Sequence, residues 1–245
     1  MSEISYDRAP VSVRDDIRAA DARAWVRLAR PGSWWSGEER IAIASEVRQA
    51  RTCALCRERK DALSPSAVRG DHESSGKLPA AAVEVIHRIA SDPGRLTRSF
   101  YQDALTAGLS DGHYVEILGT VVTVVSIDAF CLAIGAPLHP LPDPVPGDPS
   151  RYRPASAARE QAWVPMIPAR DATGAESDLW PGGRTGNVIR AMSLVPDEVR
   201  GLKDLSAAYY LPLERMGDFG FGRAINRAQI ELVAGRVSAL NECFY

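Results

Sequence analysis

The chain has 245 residues, 45% of them apolar, and a net charge of −2 with a pI of about 6.1. That length holds one large domain or two small ones. No basic stripe is offered to nucleic acid, no polybasic cluster to a membrane surface, and the polar segment Met1–Asp7 has no signal-peptide core.

Strand signals are scarce and 3.6-residue apolar patterns are common, so the expected fold class is all-α. The first helix is expected over Val13–Ala29, with Ile17, Ala20, Trp25 and Leu28 on one side and Pro31-Gly32 stopping it. Glu38–Ala50 is the second and Cys53–Leu63 the third. Pro79–Ala90 follows, closed by Asp92-Pro93-Gly94, then Leu96–Gly108. Ser110-Asp111 caps an apolar helix, Val115–Gly135, that nearly matches a membrane span. Its Glu116 and Asp128 favour a buried helix, in which each acid needs a partner; arginines at an interface or between the two halves are the candidates. Ten of the 17 prolines lie between Pro137 and Pro181, which marks a linker or wrapping arm. Trp163 and Trp180 suggest that parts of it pack on a surface. Gly186–Leu194, Pro196–Leu211 and Asn226–Tyr245 are helical by pattern. The expected division is an N-terminal helical half over 1–136, an arm over 137–185 and a second helical half over 186–245.

The two halves carry related segments. Placing Cys53 on Cys243 brings Ser36-x-x-Glu39 onto Asn226-x-x-Gln229, Val47 onto Val237 and Ala42-Ile43-Ala44 onto Leu232-Val233-Ala234. An N-cap residue with an acid or amide three positions on is a capping-box signature. Its recurrence at one distance before a cysteine argues for an internal repeat.

Cys53-Ala-Leu-Cys56 is the chemical motif of the first segment. Four cysteines without a secretory signal point to reduced, cytoplasmic thiols, so the pair reads as redox or metal chemistry. At a helix start, beside Arg51, Arg57, Arg59 and Lys60, a thiolate is favoured and the second thiol can resolve the oxidised first. Structural zinc asks for four ligands, and there is no second Cys-x-x-Cys or closely paired histidine to complete the set. The expectation is therefore no metal and no bound cofactor. His72, His87, His113 and His139 are scattered and are expected on the surface or in the core. Cys131 is expected as a buried thiol.

The segment Gln229-Ile-Glu231-Leu-Val-Ala-Gly-Arg-Val-Ser-Ala-Leu-Asn-Glu-Cys243-Phe-Tyr resembles the core of the alkylhydroperoxidase D family, in the carboxymuconolactone decarboxylase superfamily. Asn187–Pro196, Leu109–Glu116 and Ile127–Gly135 resemble helices flanking that core. The resemblance implies an all-helical homo-oligomer that reduces hydroperoxides through a Cys-x-x-Cys pair. There the second cysteine attacks, the first resolves, and a Glu and a His relay protons. An unidentified dithiol would reduce the pair. It implies Glu231 as relay acid and Cys243 as resolving thiol, with the attacking residue at 246 and the relay His at 250. The first segment has both thiols, Cys53 and Cys56, but Ile41 and Lys60 stand where the relay Glu and His belong. A straight helix would hold Glu231 and Cys243 about 18 Å apart. The chain is therefore expected to turn at Asn241, which would cap a new helix. Two expectations stand for the position after Tyr245: selenocysteine, its UGA codon read as stop, or a plain truncation or decayed site. The alternatives are a non-catalytic helical scaffold of the same fold or a decarboxylase-like enzyme acting on a small lactone.

Overall fold

The computed structural model describes residues 4–180, 183, 185–241 and 243. Among them the helices are α1 (Asp15–Ala29), α2 (Gly37–Ala50), α3 (Ala54–Asp61), α4 (Ala80–Ser91), α5 (Arg98–Thr106), α6 (Asp111–Ala133), α7 (Asn187–Arg190), α8 (Pro196–Tyr209) and α9 (Arg227–Leu240). No strand occurs among the described residues; one isolated bridge pairs Ala158 with Met166. The fold is all-α, as the periodicity predicts.

The capping residues set the helix starts. Ser36 and Glu39 form a capping box on α2, and Asn226 and Gln229 form the matching box on α9. Ser110 caps α6 by accepting from the His113 N–H, and Thr97 starts α5 by accepting from the Phe100 N–H. The helix expected over Gly186–Leu194 is cut to the single turn of α7. Pro196, first residue of α8, keeps Val195 out of the helical conformation, at φ −123° and ψ 88°, and so breaks any continuous helix across it.

Helix α6 lies at the centre, packed against α2, α4 and α8, while α1 packs against α2 and α8. It is long and apolar enough to cross a membrane by length and composition. Here Val115, Ile117, Val121, Val124 and Ile127 are buried in a core that runs from Tyr6 to Ala208. The acids on it have the predicted partners. Glu116 accepts from Arg40 of α2 at 2.5 Å, and Arg40 also donates to Glu198 of α8 at 2.8 Å. Asp128 takes Arg48 in a two-bond clasp at 2.8 and 3.0 Å. Gly119 permits the α6–α8 contact, because a Cβ there would lie 2.2 Å from the Glu198 carboxylate.

The proline-rich segment wraps the α1–α2 corner. Val145 donates to the Ala29 carbonyl, Ser150 to Gly32 and Arg151 to Ser33, at 2.8 to 3.0 Å. The Trp25 indole N–H binds the Pro140 carbonyl at 2.9 Å. Met166, Ile167, Leu179 and Trp180 are buried, so side chains of the arm complete the core. Backbone groups that regular structure would satisfy are satisfied here by neighbouring helix ends.

The two aligned helices, α2 and α9, differ in what covers them. Ala42, Ile43, Val47 and Ala50 of α2 are buried, whereas their matches on α9, Leu232, Val233, Val237 and Leu240, are each more than half exposed.

A buried acid on α1 gives a pH signature. Asp21 accepts hydroxyl protons from Tyr6 and, at 2.9 Å, from Tyr209. Burial raises its pKa to about 6, against the opposing pull of the two tyrosine hydroxyls. A folded-state pKa above the unfolded value means the native chain holds the proton more tightly. Stability from this group is therefore complete below about pH 4 and is lost as pH rises through 6. Two pKa units correspond to about 3 kcal/mol. Urea unfolding of the native protein and Asp21→Asn should therefore diverge by about 3 kcal/mol between pH 4 and 7, the native protein losing ground. Parallel curves would show that Asp21 does not titrate in this range.

Candidate functional site

Cys53 caps the N-terminus of α3 in an extended conformation, which leaves Cys56 one turn inside the helix. Both thiols are buried, Cys53 at 0% and Cys56 at 3% exposure. Sulfur so enclosed needs polar neighbours if it is to ionise, and two histidines supply them. His72 comes from the segment joining α3 to α4. Its Nδ1 lies 3.5 Å from Cys53 Sγ and 3.6 Å from Cys56 Sγ. His87 comes from the buried face of α4, with Nδ1 at 3.3 Å from Cys56 Sγ. The four donor atoms all lie within 4.8 Å of one another.

Each imidazole is oriented from behind by a carboxylate. His72 Nε2 lies 2.9 Å from Glu84, and His87 Nε2 lies 3.1 Å from Glu46. A carboxylate there holds a proton on Nε2, so Nδ1 is the atom turned to the sulfurs. The carboxylates are themselves held. Arg59 donates to both oxygens of Glu84 at 2.8 Å. Glu46, buried on α2, accepts from the Ser75 backbone N–H and from the Ser74 and Ser75 hydroxyls at 2.7 to 3.0 Å. These last bonds tie down the segment that carries His72.

The local field is that of a thiolate beside an imidazolium. Burial opposes ionisation of Cys53. The His72 contact and then the Cys56 backbone N–H outweigh it and bring the thiol down to about 7. Burial also opposes charge on His72, but Cys56 and Glu84 lift it to about 10. Glu84 sits at about 2, because His72 and Arg59 overcome its burial. His87 is lowered, chiefly by burial. A cleft of about 740 Å³ opens on the far side, with Arg59, Glu84, Leu63 and Phe100 in its wall. The contact chain Glu84–His72–Cys56 leads from that wall to the thiols.

Glu231 and Cys243 are not brought to this cluster. Glu231 is exposed on α9 and accepts from the Tyr210 hydroxyl at 2.7 Å and from Arg227 at 2.6 Å. Cys243 is an exposed free thiol whose backbone N–H reaches the Ser238 carbonyl. Among the described residues no hydrogen bond or ion pair joins either to Cys53 or Cys56. Asn241 is the C-cap of α9, its N–H bonded to Val237 and Ala239 carbonyls, and does not start a new helix. Glu242, Phe244 and Tyr245, where that helix was expected to continue, lie outside the described residues.

Of the four histidines, His139 is buried in the core against Tyr6, its Nε2 without a hydrogen-bond partner, and His113 is half-buried against Trp35. His72 and His87 instead converge on the cysteines. Their sequence distances from Cys56 fit no short motif. The legible signal was weaker. His87 falls on the core side of α4, one turn after Val83, and Glu46 falls between Ile43 and Val47 on the core side of α2. Two polar residues at core positions of separate helices need each other.

Comparison with protein-family models, with curated proteins and with solved structures returns no match. The site therefore has to be read from its own chemistry.

Proposed function

We propose that this chain is a thiol peroxidase of the alkylhydroperoxidase D type, acting through Cys53 and Cys56. The observation that supports it is the His72–Glu84 pair, which sets one imidazole nitrogen against both sulfurs of a Cys-x-x-Cys. The expected relay positions hold Ile41 and Lys60, yet a His and a Glu are supplied from elsewhere in the chain. Cys56, with an imidazole nitrogen on two sides, is the attacking thiol. Its sulfur takes the terminal oxygen of a hydroperoxide. An S–O bond forms, the O–O bond breaks, and the alkoxide leaves with a proton delivered through His72. Cys53 then attacks the sulfenic sulfur, forming the disulfide and releasing water. An external dithiol restores both thiols. Two thiols and one hydroperoxide thus give one disulfide, one alcohol and one water.

Thiol titration tests this reading. Stoichiometric alkyl hydroperoxide should remove two titratable thiols from reduced protein. Neither Cys53→Ser nor Cys56→Ser should form an intramolecular disulfide, while Cys243→Ser should behave as the native chain. Loss of the reaction with Cys243→Ser and its survival in Cys56→Ser would reverse the assignment.

The same reading carries a homo-oligomer, and the exposed apolar face of α9 supports contact with a second copy. Light scattering should return a multiple of the 26.6 kDa chain at micromolar concentration. Leu232→Glu combined with Val233→Glu should lower that mass.

A further inference from the structure

We propose that Cys53, Cys56, His72 and His87 hold a zinc ion in the reduced protein, and that oxidation of the two thiols releases it. The donor set is two sulfurs and two imidazole nitrogens, the chemistry of a closed four-ligand zinc centre. A tetrahedron with Zn–S of about 2.3 Å and Zn–N of about 2.0 Å has S···N edges of about 3.5 Å. The three contacts here measure 3.5, 3.6 and 3.3 Å. The widest donor separation is no more than 4.8 Å, so closing on an ion takes a contraction of about 1 Å.

Two further features point to a metal beyond a general base. Both imidazoles turn the same atom, Nδ1, to the sulfurs, and both have Nε2 on a carboxylate. A base for one thiol needs only one such histidine. Carboxylate–histidine pairs behind a metal fix the tautomer and strengthen the ligand. Two thiolates also cancel the charge of the ion, so the site is neutral where it is buried. Burial of both sulfurs leaves no open position for water, which makes the centre structural while it is loaded.

The site joins α3, α4 and the segment between them, so the ion would clamp that corner to α2 through Glu46. Metal and disulfide use the same sulfur lone pairs and exclude one another. The release step rests on the peroxide chemistry proposed above; the binding step does not. In it, two zinc-bound thiolates, one hydroperoxide and two protons give the disulfide, free Zn²⁺, one alcohol and one water.

The test uses the full chain without a histidine tag, reduced and stripped by chelator. Zinc should bind at one per chain. Cobalt(II) should give the strong visible bands of a tetrahedral ion with a thiolate charge-transfer band. Glu46→Gln and Glu84→Gln, which keep all four ligands, should bind zinc about 10- to 100-fold more weakly. His87→Ala should lose the tetrahedral cobalt spectrum, with circular dichroism reporting its fold. Alkyl hydroperoxide should then release the zinc from native protein to a chromogenic chelator as two thiols disappear. Reduced protein that binds neither metal, or a His87→Ala that binds as tightly as native, would overturn the zinc site even where both thiols still oxidise. Zinc that stays bound under hydroperoxide with both thiols intact would overturn the release step and the peroxidase reading, leaving the metal site standing.

Discussion

Replacing Arg40 by alanine should destabilise the fold by about 3–5 kcal/mol. One nitrogen, Arg40 Nη1, donates to Glu116 and Glu198 together, and the exposure of all three side chains is 4% or less. Removing the guanidinium leaves two buried carboxylates without the cation that binds them both. Arg27 feels the charge of Glu198, but its Nη2 is buried without a hydrogen-bond partner, so it does not replace the two bonds of Arg40. The loss should be largest near neutral pH and smaller near pH 5. Unpaired buried carboxylates have raised pKa values, so the variant regains stability when they are protonated. Replacing all three residues together, Arg40→Met with Glu116→Leu and Glu198→Met, should cost far less than Arg40→Ala alone, since no charge is left behind. Chemical unfolding of the two variants at pH 5 and 7.5 decides it. A cost for Arg40→Ala below 1 kcal/mol at pH 7.5 would mean that solvent reaches the triad.

The second large effect is on turnover. His72→Ala, in reduced and metal-free protein, should slow hydroperoxide reduction by about 10²- to 10⁴-fold, the usual range for losing a positioned acid–base group. His72 is the one side chain whose imidazole nitrogen faces both sulfurs, at 3.5 and 3.6 Å. His87→Ala should cost less, because that ring touches only Cys56. Added imidazole should restore part of the His72→Ala activity, which a collapsed fold would not allow. Native-like rates in His72→Ala would remove the histidine from the chemistry and leave only Cys53 and Cys56.

The helices were legible because their causes are local. Ser36, Thr97, Ser110 and Asn226 act on amides three residues ahead, and apolar spacing of 3.6 residues selects one face. The two capping boxes were written in Ser36-x-x-Glu39 and Asn226-x-x-Gln229 and both form. Even the arginine partners of Glu116 and Asp128 followed from elementary cost, since an acid on an apolar helix must be paired. Which arginines they are did not follow. Arg40 meets Glu198 across 158 positions, and only the packing of α2, α6 and α8 brings them together.

The candidate site divides in the same way. Cys53 and Cys56 were visible because one helical turn relates them. His72 and His87 were not, because nothing local places a residue from an irregular segment beside one from α4. Glu46 sets that meeting, binding Ser74 and Ser75 on one side and His87 on the other. The sequence by itself determined the helical class, the capped ends and the presence of a dithiol, all consequences of neighbours within about four residues. The tertiary structure alone decided that the dithiol has two imidazoles and two carboxylates around it. Those contacts form only when the α2–α4–α6 core closes, and buried polar groups then pair with whatever the core brings within reach.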